Sequence, residues 1–143
     1  MRIGFCCDHA GFDIKFEVIG HLGSKGFEVE DFGTDSAASM DYPDVAHPLA
    51  EALLEGRIEL GVAICGIGNG MAIILNKHKG IRAGLAWNRE IGVLVKKHNN
   101  ANVLVVPARF ASLETIRETI DAWLEAEFAG GRHQRRIDKI DIV

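Results

Sequence analysis

The chain has 143 residues, 48% apolar and 25% charged, which is enough for one packed domain and argues against disorder. Its net charge of −4 is uneven: residues 1–131 carry 12 basic against 18 acidic side chains, and residues 132–143 carry 4 against 2. An acidic body argues against general nucleic-acid binding. Apolar runs of strand length fall far short of the roughly 20 residues of a membrane helix. The opening run Ile3–Cys7 is too short for a signal-peptide core, so a cytoplasmic protein is expected. Cys6 and Cys7 are adjacent and Cys65 stands alone, which gives neither a disulfide framework nor a CxxC zinc spacing and fits a reducing compartment.

The first predicted element is the apolar strand Ile3–Cys7. Phe12, Phe16, Ile19 and Leu22 then recur at helical spacing, and Gly26 marks the stop. Glu28–Phe32 reads as a second strand. Asp41-Tyr42-Pro43 reads as a helix start, Asp41 capping and Pro43 in the first turn, with the helix running to about Glu55 and Val45, Leu49, Ala52 and Leu53 inward. Pro48 within it predicts a kink or a delayed start. Leu60–Cys65 is apolar throughout, as a parallel strand covered on both faces should be. A loop, Gly66–Gly70, leads to a helix near Met71–Lys77. Arg82–Trp87 is a fourth strand, and Asn88 caps a helix to about His98. Val103–Val106 is a fifth strand closed by Pro107. Ser112 caps the last long helix, with Ile116, Ile120, Trp123 and Leu124 facing the core. Gly130-Gly131 breaks the chain before a basic tail.

Strands alternating with helices predict βαβ units and an α/β fold with a five-stranded parallel sheet. Ligands in such folds bind beyond the carboxyl ends of the strands. The places to look are Cys7-Asp8-His9, Gly33-Thr34, Cys65–Gly70, Trp87-Asn88 and Pro107-Ala108-Arg109. The most informative is Cys65-Gly66-Ile67-Gly68-Asn69-Gly70. Its alternate glycines let main-chain N–H groups face a phosphate or a developing oxyanion, with a helix N-terminus behind them. It is neither the dinucleotide G-x-G-x-x-G nor a Walker loop, and a tight turn with no ligand is the plain alternative. A thiol beside such donors should have a lowered pKa; a buried, inert cysteine is the competing reading. The tail Arg132-His133-Gln134-Arg135-Arg136 is either a local anion site or a solvated helix face.

In order, the stretches Cys7-Asp8-His9-Ala10-Gly11, Asp31-Phe32-Gly33-Thr34, Asp41-Tyr42-Pro43, Cys65–Gly70, Asn76-Lys77 with Gly80-Ile81-Arg82-Ala83, His98-Asn99-Asn100-Ala101-Asn102 and Gly130-Gly131-Arg132-His133-Gln134-Arg135-Arg136 resemble the type B ribose-5-phosphate isomerase family, which includes galactose-6-phosphate and allose-6-phosphate isomerases. The resemblance spans nearly the whole chain. It implies a Rossmann-like three-layer α/β/α sandwich and aldose–ketose isomerisation through a cis-enediolate, with no metal or organic cofactor. It also implies a homodimer or dimer of dimers, with residues 129–143 reaching a neighbouring subunit's site. It makes Cys65 the base that shuttles a proton between C2 and C1, and His98 the acid/base that opens the sugar ring. The N–H groups of Gly66, Ile67, Gly68, Asn69 and Gly70 hold the enediolate oxygens. Asp8 and Asn99 contact the sugar, and His9, Arg109, Arg132 and Arg136 bind the phosphate.

Two positions depart from the family pattern. Ile67 replaces the usual Thr or Ser, and Met71 stands where another branch has a catalytic Glu; with Met71 unable to act as a base, that role falls to Cys65. The other singled-out residues have plainer readings: His21 and His78 solvated, His47 structural, Cys6, Trp87 and Trp123 in the core. Tyr42 either lines the pocket or packs the helix start.

Overall fold

The computed structural model describes residues 1–142. It begins with strand β1 (Arg2–Cys7), a 3-10 turn over His9–Ile14, helix α1 (Lys15–Ser24) and strand β2 (Glu28–Asp31). Helix α2 (Pro43–Leu54), strand β3 (Leu60–Cys65), helix α3 (Asn69–Leu75) and strand β4 (Ala83–Leu85) follow. Helix α4 (Arg89–Lys97), strand β5 (Val103–Pro107), helix α5 (Leu113–Glu125) and a short helix α6 (Arg132–Ile137) complete it. The five strands form one sheet in the order β2-β1-β3-β5-β4, and every pairing is parallel. With helices on both faces, this is the three-layer α/β/α arrangement expected.

The strands read as unbroken apolar runs because each face of the sheet has its own core. Successive strand residues point to opposite faces. Ile3, Phe5, Cys7, Val62, Ile64, Leu104 and Val106 pack with Val18 and Leu22 of α1, Val95 of α4 and Ile116, Ile120 and Trp123 of α5. The alternate residues Cys6, Ala63, Cys65, Val103 and Val105 pack with Val45 and Leu49 of α2 and Met71 and Leu75 of α3. A fully buried side chain of this size contributes about 1.5–3 kcal/mol of burial free energy.

Most helix ends follow from local chemistry. The Asn88 carboxamide accepts the Ile91 N–H at 2.9 Å, and the Ser112 hydroxyl accepts the Thr115 N–H at 3.1 Å, each capping its helix as the sequence suggested. At α2 the expected cap is not made: Tyr42 occupies the cap position, makes no side-chain capping bond, and Asp41 contributes its carbonyl to the Asp44 N–H instead. Pro48 is accommodated inside α2 rather than delaying its start. β4 is shorter than predicted, and Trp87 beyond it is half-exposed rather than in the core. Phe16 also points to solvent, because a 3-10 turn precedes α1 and shifts the helical phase so that Val18 and Leu22 face inward. Trp123 is buried as expected and donates its indole N–H to the Ala101 carbonyl at 3.1 Å.

The outer edge of the sheet is closed by a side chain. The Asn76 carboxamide accepts the Ala83 N–H at 2.8 Å and donates to the Ala83 carbonyl at 3.0 Å. Asn102 braces the same turn, accepting from the Arg82 N–H at 2.8 Å and donating to the Gly80 carbonyl at 2.9 Å.

Candidate active site

Because the strands are parallel, the carboxyl ends of β1, β3 and β5 bring Asp8, Cys65 and Arg109 to one edge of the sheet. β1 and β3 are also where the connections reverse direction, the position at which such sheets bind ligands. Asp8 is nearly buried; its carboxylate accepts the Ala10 N–H at 2.9 Å and so caps the 3-10 turn. His9 opens that turn and accepts the Met40 N–H on Nδ1 at 3.3 Å, which ties it to the approach to α2. The Arg109 N–H donates to the Gly66 carbonyl at 3.0 Å, and its side chain lies over Gly66, within 3.3 Å of where a Cβ would stand.

The loop after β3 is shaped by two glycines in particular. Gly68 has φ of +84°, and a Cβ there would run into Leu85. At Gly70 a Cβ would stand 2.7 Å from the Tyr42 ring, so Tyr42, at the start of α2, packs against the end of the loop. Ile67 projects outward, half-exposed.

The thiol differs from expectation. Burial pushes the Cys65 pKa above its usual value; hydrogen bonds from the Met71 and Gly68 N–H groups pull it down, the Asp8 carboxylate pushes it up, and the Ile67 N–H pulls it down again. The N–H cradle is present, but in the protein without substrate desolvation outweighs it. Burial likewise raises Cys7, to about 11, and Cys6.

Lys15 shows what holds this edge rigid. It is 1% exposed, and its ammonium donates to the Thr34 carbonyl at 2.7 Å and pairs with Asp31 at 2.6 Å and Asp35 at 3.3 Å. Thr34 and Gly33 in turn bond the backbone of Cys7, immediately before Asp8. Lys15 was not singled out in the sequence, because a lysine between apolar helical positions reads as a solvated residue.

The remaining expected residues lie elsewhere. α4 runs antiparallel to the strands, from the carboxyl end of β4 back to the amino end of β5, and so carries His98 and Asn99 to the opposite edge. Asn100 there adopts φ of +46° and ends the helix, and the Asn102 carbonyl accepts the Gly61 N–H at the start of β3. The Ala129 N–H donates to the Lys97 carbonyl at 3.0 Å, which delivers α6 to the same place. His98, Asn99, His133, Arg136, Ile137 and Ile140 line an open cleft of about 400 Å³. The rings of His98 and His133 stack there, centroids 4.4 Å apart and 14° from parallel. Burial, with the charges of Arg132, His98 and Arg136, holds the His133 pKa below the usual histidine range. His133 was part of a matched stretch but was given no role; its spacing of three from Arg136 is the helical signal that would have placed the two together.

One chain therefore assembles Asp8, His9, Cys65–Gly70 and Arg109 at one edge, and His98, Asn99, Arg132 and Arg136 at the other. The length of β3 alone separates these edges by roughly 15 Å. Neither His21 nor His78 is simply solvated: His21 binds Asp121 at 2.7 Å, and His78 Nε2 meets His47 Nδ1 at 2.6 Å. Among the described residues no group of three or more His, Cys, Asp or Glu is arranged to hold a metal ion, and no helix is long and apolar enough to cross a membrane.

The chain is similar to known proteins over nearly its whole length. A family model described as Ribose/Galactose Isomerase matches residues 3–140. Ribose-5-phosphate isomerase B of Escherichia coli (strain K12) is 42% identical over 142 residues, spanning 99% of this chain and 95% of that protein. D-erythrulose-4-phosphate isomerase of Pectobacterium atrosepticum is 38% identical over 141 residues, spanning 98% and 93%. The crystal structure of ribose-5-phosphate isomerase B from Mycoplasma genitalium with bound ribulose 5-phosphate superposes with a TM-score of 0.93 at 40% identity, covering 97% of this chain and 93% of that one. The match spans nearly the whole sheet and both of its edges, and the chain belongs to the ribose/galactose isomerase family.

Proposed function

We propose that the protein interconverts D-ribose 5-phosphate and D-ribulose 5-phosphate, in a site completed by a second copy of the chain. The observation that carries this is the Cys65 sulfur at the carboxyl edge, with the N–H groups of Ile67, Gly68 and Met71 around it. A sulfur base beside an array of fixed donors suits removal of a proton next to a carbonyl, because the donors stabilise the oxyanion that forms. His98 protonates the ring oxygen as the furanose opens and the C1 hydroxyl releases its proton to water, with Asp8 and Asn99 holding the sugar hydroxyls. Cys65 takes the proton from C2, leaving a cis-enediolate whose oxygens face the N–H groups of Gly66 to Gly70. The O2 proton passes to O1, and the protonated Cys65 thiol, which can exchange its hydrogen with solvent, delivers a proton to C1 as the C2 carbonyl of the ketose forms. His9, Arg109, Arg132 and Arg136 hold the phosphate, a dianion suited to guanidinium forks. Contacts to that remote group supply binding energy that orients C1 and C2.

The placement of these groups supports a homodimer: His98, Asn99, Arg132 and Arg136 lie at the edge opposite the Cys65 of their own chain. A six-carbon sugar phosphate is the second reading. It is favoured by the breadth of the family and by the outward-facing Ile67 where relatives carry a hydroxyl.

The deciding experiment is a substrate panel of four-, five- and six-carbon aldose phosphates on purified protein, with Cys65→Ala as the control. The expected result is the highest kcat/KM on ribose 5-phosphate and loss of activity in the variant. Full activity in Cys65→Ala would remove the base. Binding of ribose 5-phosphate with no C2 hydrogen exchange in deuterated water would make the protein a sugar-phosphate binder instead.

A further inference from the structure

The stacked pair His98–His133 carries an inference that rests on the isomerase reading and concerns a residue given no role in it. We propose that His133 is a positioning residue: a neutral imidazole platform that fixes the plane of the His98 ring and supports its protonated form. The geometry is that of a platform and not of a hydrogen-bonded pair. The rings lie face to face at 4.4 Å and 14° from parallel, and both line the open cleft. His133 is almost buried in the first turn of α6, and its N–H is fixed to the Gly130 carbonyl at 3.1 Å. His98 sits at the end of α4, so the platform and the ring it supports come from separate elements.

Two stacked imidazoles cannot both be cations cheaply, and the pair takes up protons one at a time. The charged groups acting on His133, apart from His98 itself, are Arg132 and Arg136, both positive; together with burial they disfavour a charge on His133. The remaining lining groups, Asn99, Ile137 and Ile140, are uncharged. His133 is therefore the ring of the pair that is held neutral. A cation over the face of a neutral aromatic ring is stabilised by the ring's electron density. The platform thus steadies the His98 ring for proton transfer to the sugar ring oxygen.

The test is an NMR titration of the His98 ring protons in the full-length protein without sugar, combined with pH profiles of kcat/KM. His133→Phe keeps an aromatic face and should leave the His98 midpoint and the profile close to wild type. His133→Leu removes the face but keeps an apolar filler; the midpoint should fall by about half a pH unit and kcat should drop about tenfold with KM little changed. His133→Lys places a permanent cation on the platform and should lower the midpoint by about one unit or more. Folding of each variant is checked by circular dichroism. A His98 midpoint unmoved in both His133→Leu and His133→Lys, or His133→Phe behaving like His133→Leu, overturns the proposal. The titration is read without substrate, so it stands or falls separately from the isomerase assignment.

Discussion

Cys65 and His98 lie at opposite edges of the sheet of one chain, and this predicts that two inactive variants can restore each other. In the proposed mechanism Cys65→Ala lacks the base at the carboxyl edge, and His98→Gln lacks the ring-opening group at the amino edge. Each homodimer has two defective sites. In a mixed dimer, one site takes Cys65 from the His98→Gln chain and His98 from the Cys65→Ala chain, and is intact; the other carries both defects. Random reassociation of equal amounts makes about half of the dimers mixed, each with one working site of two, so about a quarter of wild-type activity should return. The assay is ribose 5-phosphate isomerisation after the two variants are dissociated together in mild denaturant and refolded, with each variant treated alone as control. The strand length behind the argument, roughly 15 Å, is too great for side chains to bridge within one fold. Activity that stays at the level of the separate variants after exchange, verified by mass-tagged subunits, would refute the shared site.

Three further predictions follow from other features. Burial raises the Cys65 pKa, so kcat/KM should climb with pH beyond neutrality as the thiol ionises, and iodoacetamide should alkylate Cys65 slowly at pH 7 and faster at pH 9; a flat profile would contradict the raised thiol. Gly68→Ala must place a side chain at φ of +84° and against Leu85, at a cost of about 2–4 kcal/mol, which should appear as a clear drop in Tm by calorimetry. Lys15→Met leaves Asp31 and Asp35 without their shared cation and should lower stability in urea by about 1–3 kcal/mol. Burial alone would lower the Lys15 pKa, but the bonds to Asp31 and Asp35 raise it. A raised folded-state pKa means this contribution is complete below the unfolded lysine pKa and is lost as pH rises through the folded one. The gap between wild type and Lys15→Met should therefore stay constant from pH 7 to 9 and close above about pH 10.5.

The elements were legible in the sequence wherever one physical signal dominated. β3 lies at Leu60–Cys65 as predicted, because an unbroken apolar run between a turn and a glycine loop has few other solutions. The caps at Asn88 and Ser112 were equally plain. The misplacements came where tertiary contacts set the outcome. Trp87 reads as core by type, yet it lies past the end of β4 and stays half-exposed. Phe16 fits a helical stripe, but the 3-10 turn before α1 is invisible to a periodicity argument. For the site, the sequence pointed to the loop and its cysteine but not to the balance acting on the sulfur. A lowered pKa follows from neighbouring N–H groups, whereas the raised one follows from desolvation, which depends on how Met71 and the strands close over the thiol. The separation of His98 from Cys65 becomes readable only with the strand directions, and the His98–His133 stack only once α6 is folded back onto α4.

The Asn76 carboxamide has a consequence beyond the turn that it braces. By occupying both outward-facing backbone groups of Ala83, it acts as a one-residue surrogate for a sixth strand. An edge strand with free backbone groups invites a stranger's strand, and with it domain exchange or fibril growth. Here a single amide occupies that ladder at Ala83, so a neighbour that approaches β4 there meets a side chain rather than main chain. An Asn76→Ala protein would fold around the same two cores but present a bare ladder, and its most visible failing would be turbidity on storage rather than lost catalysis.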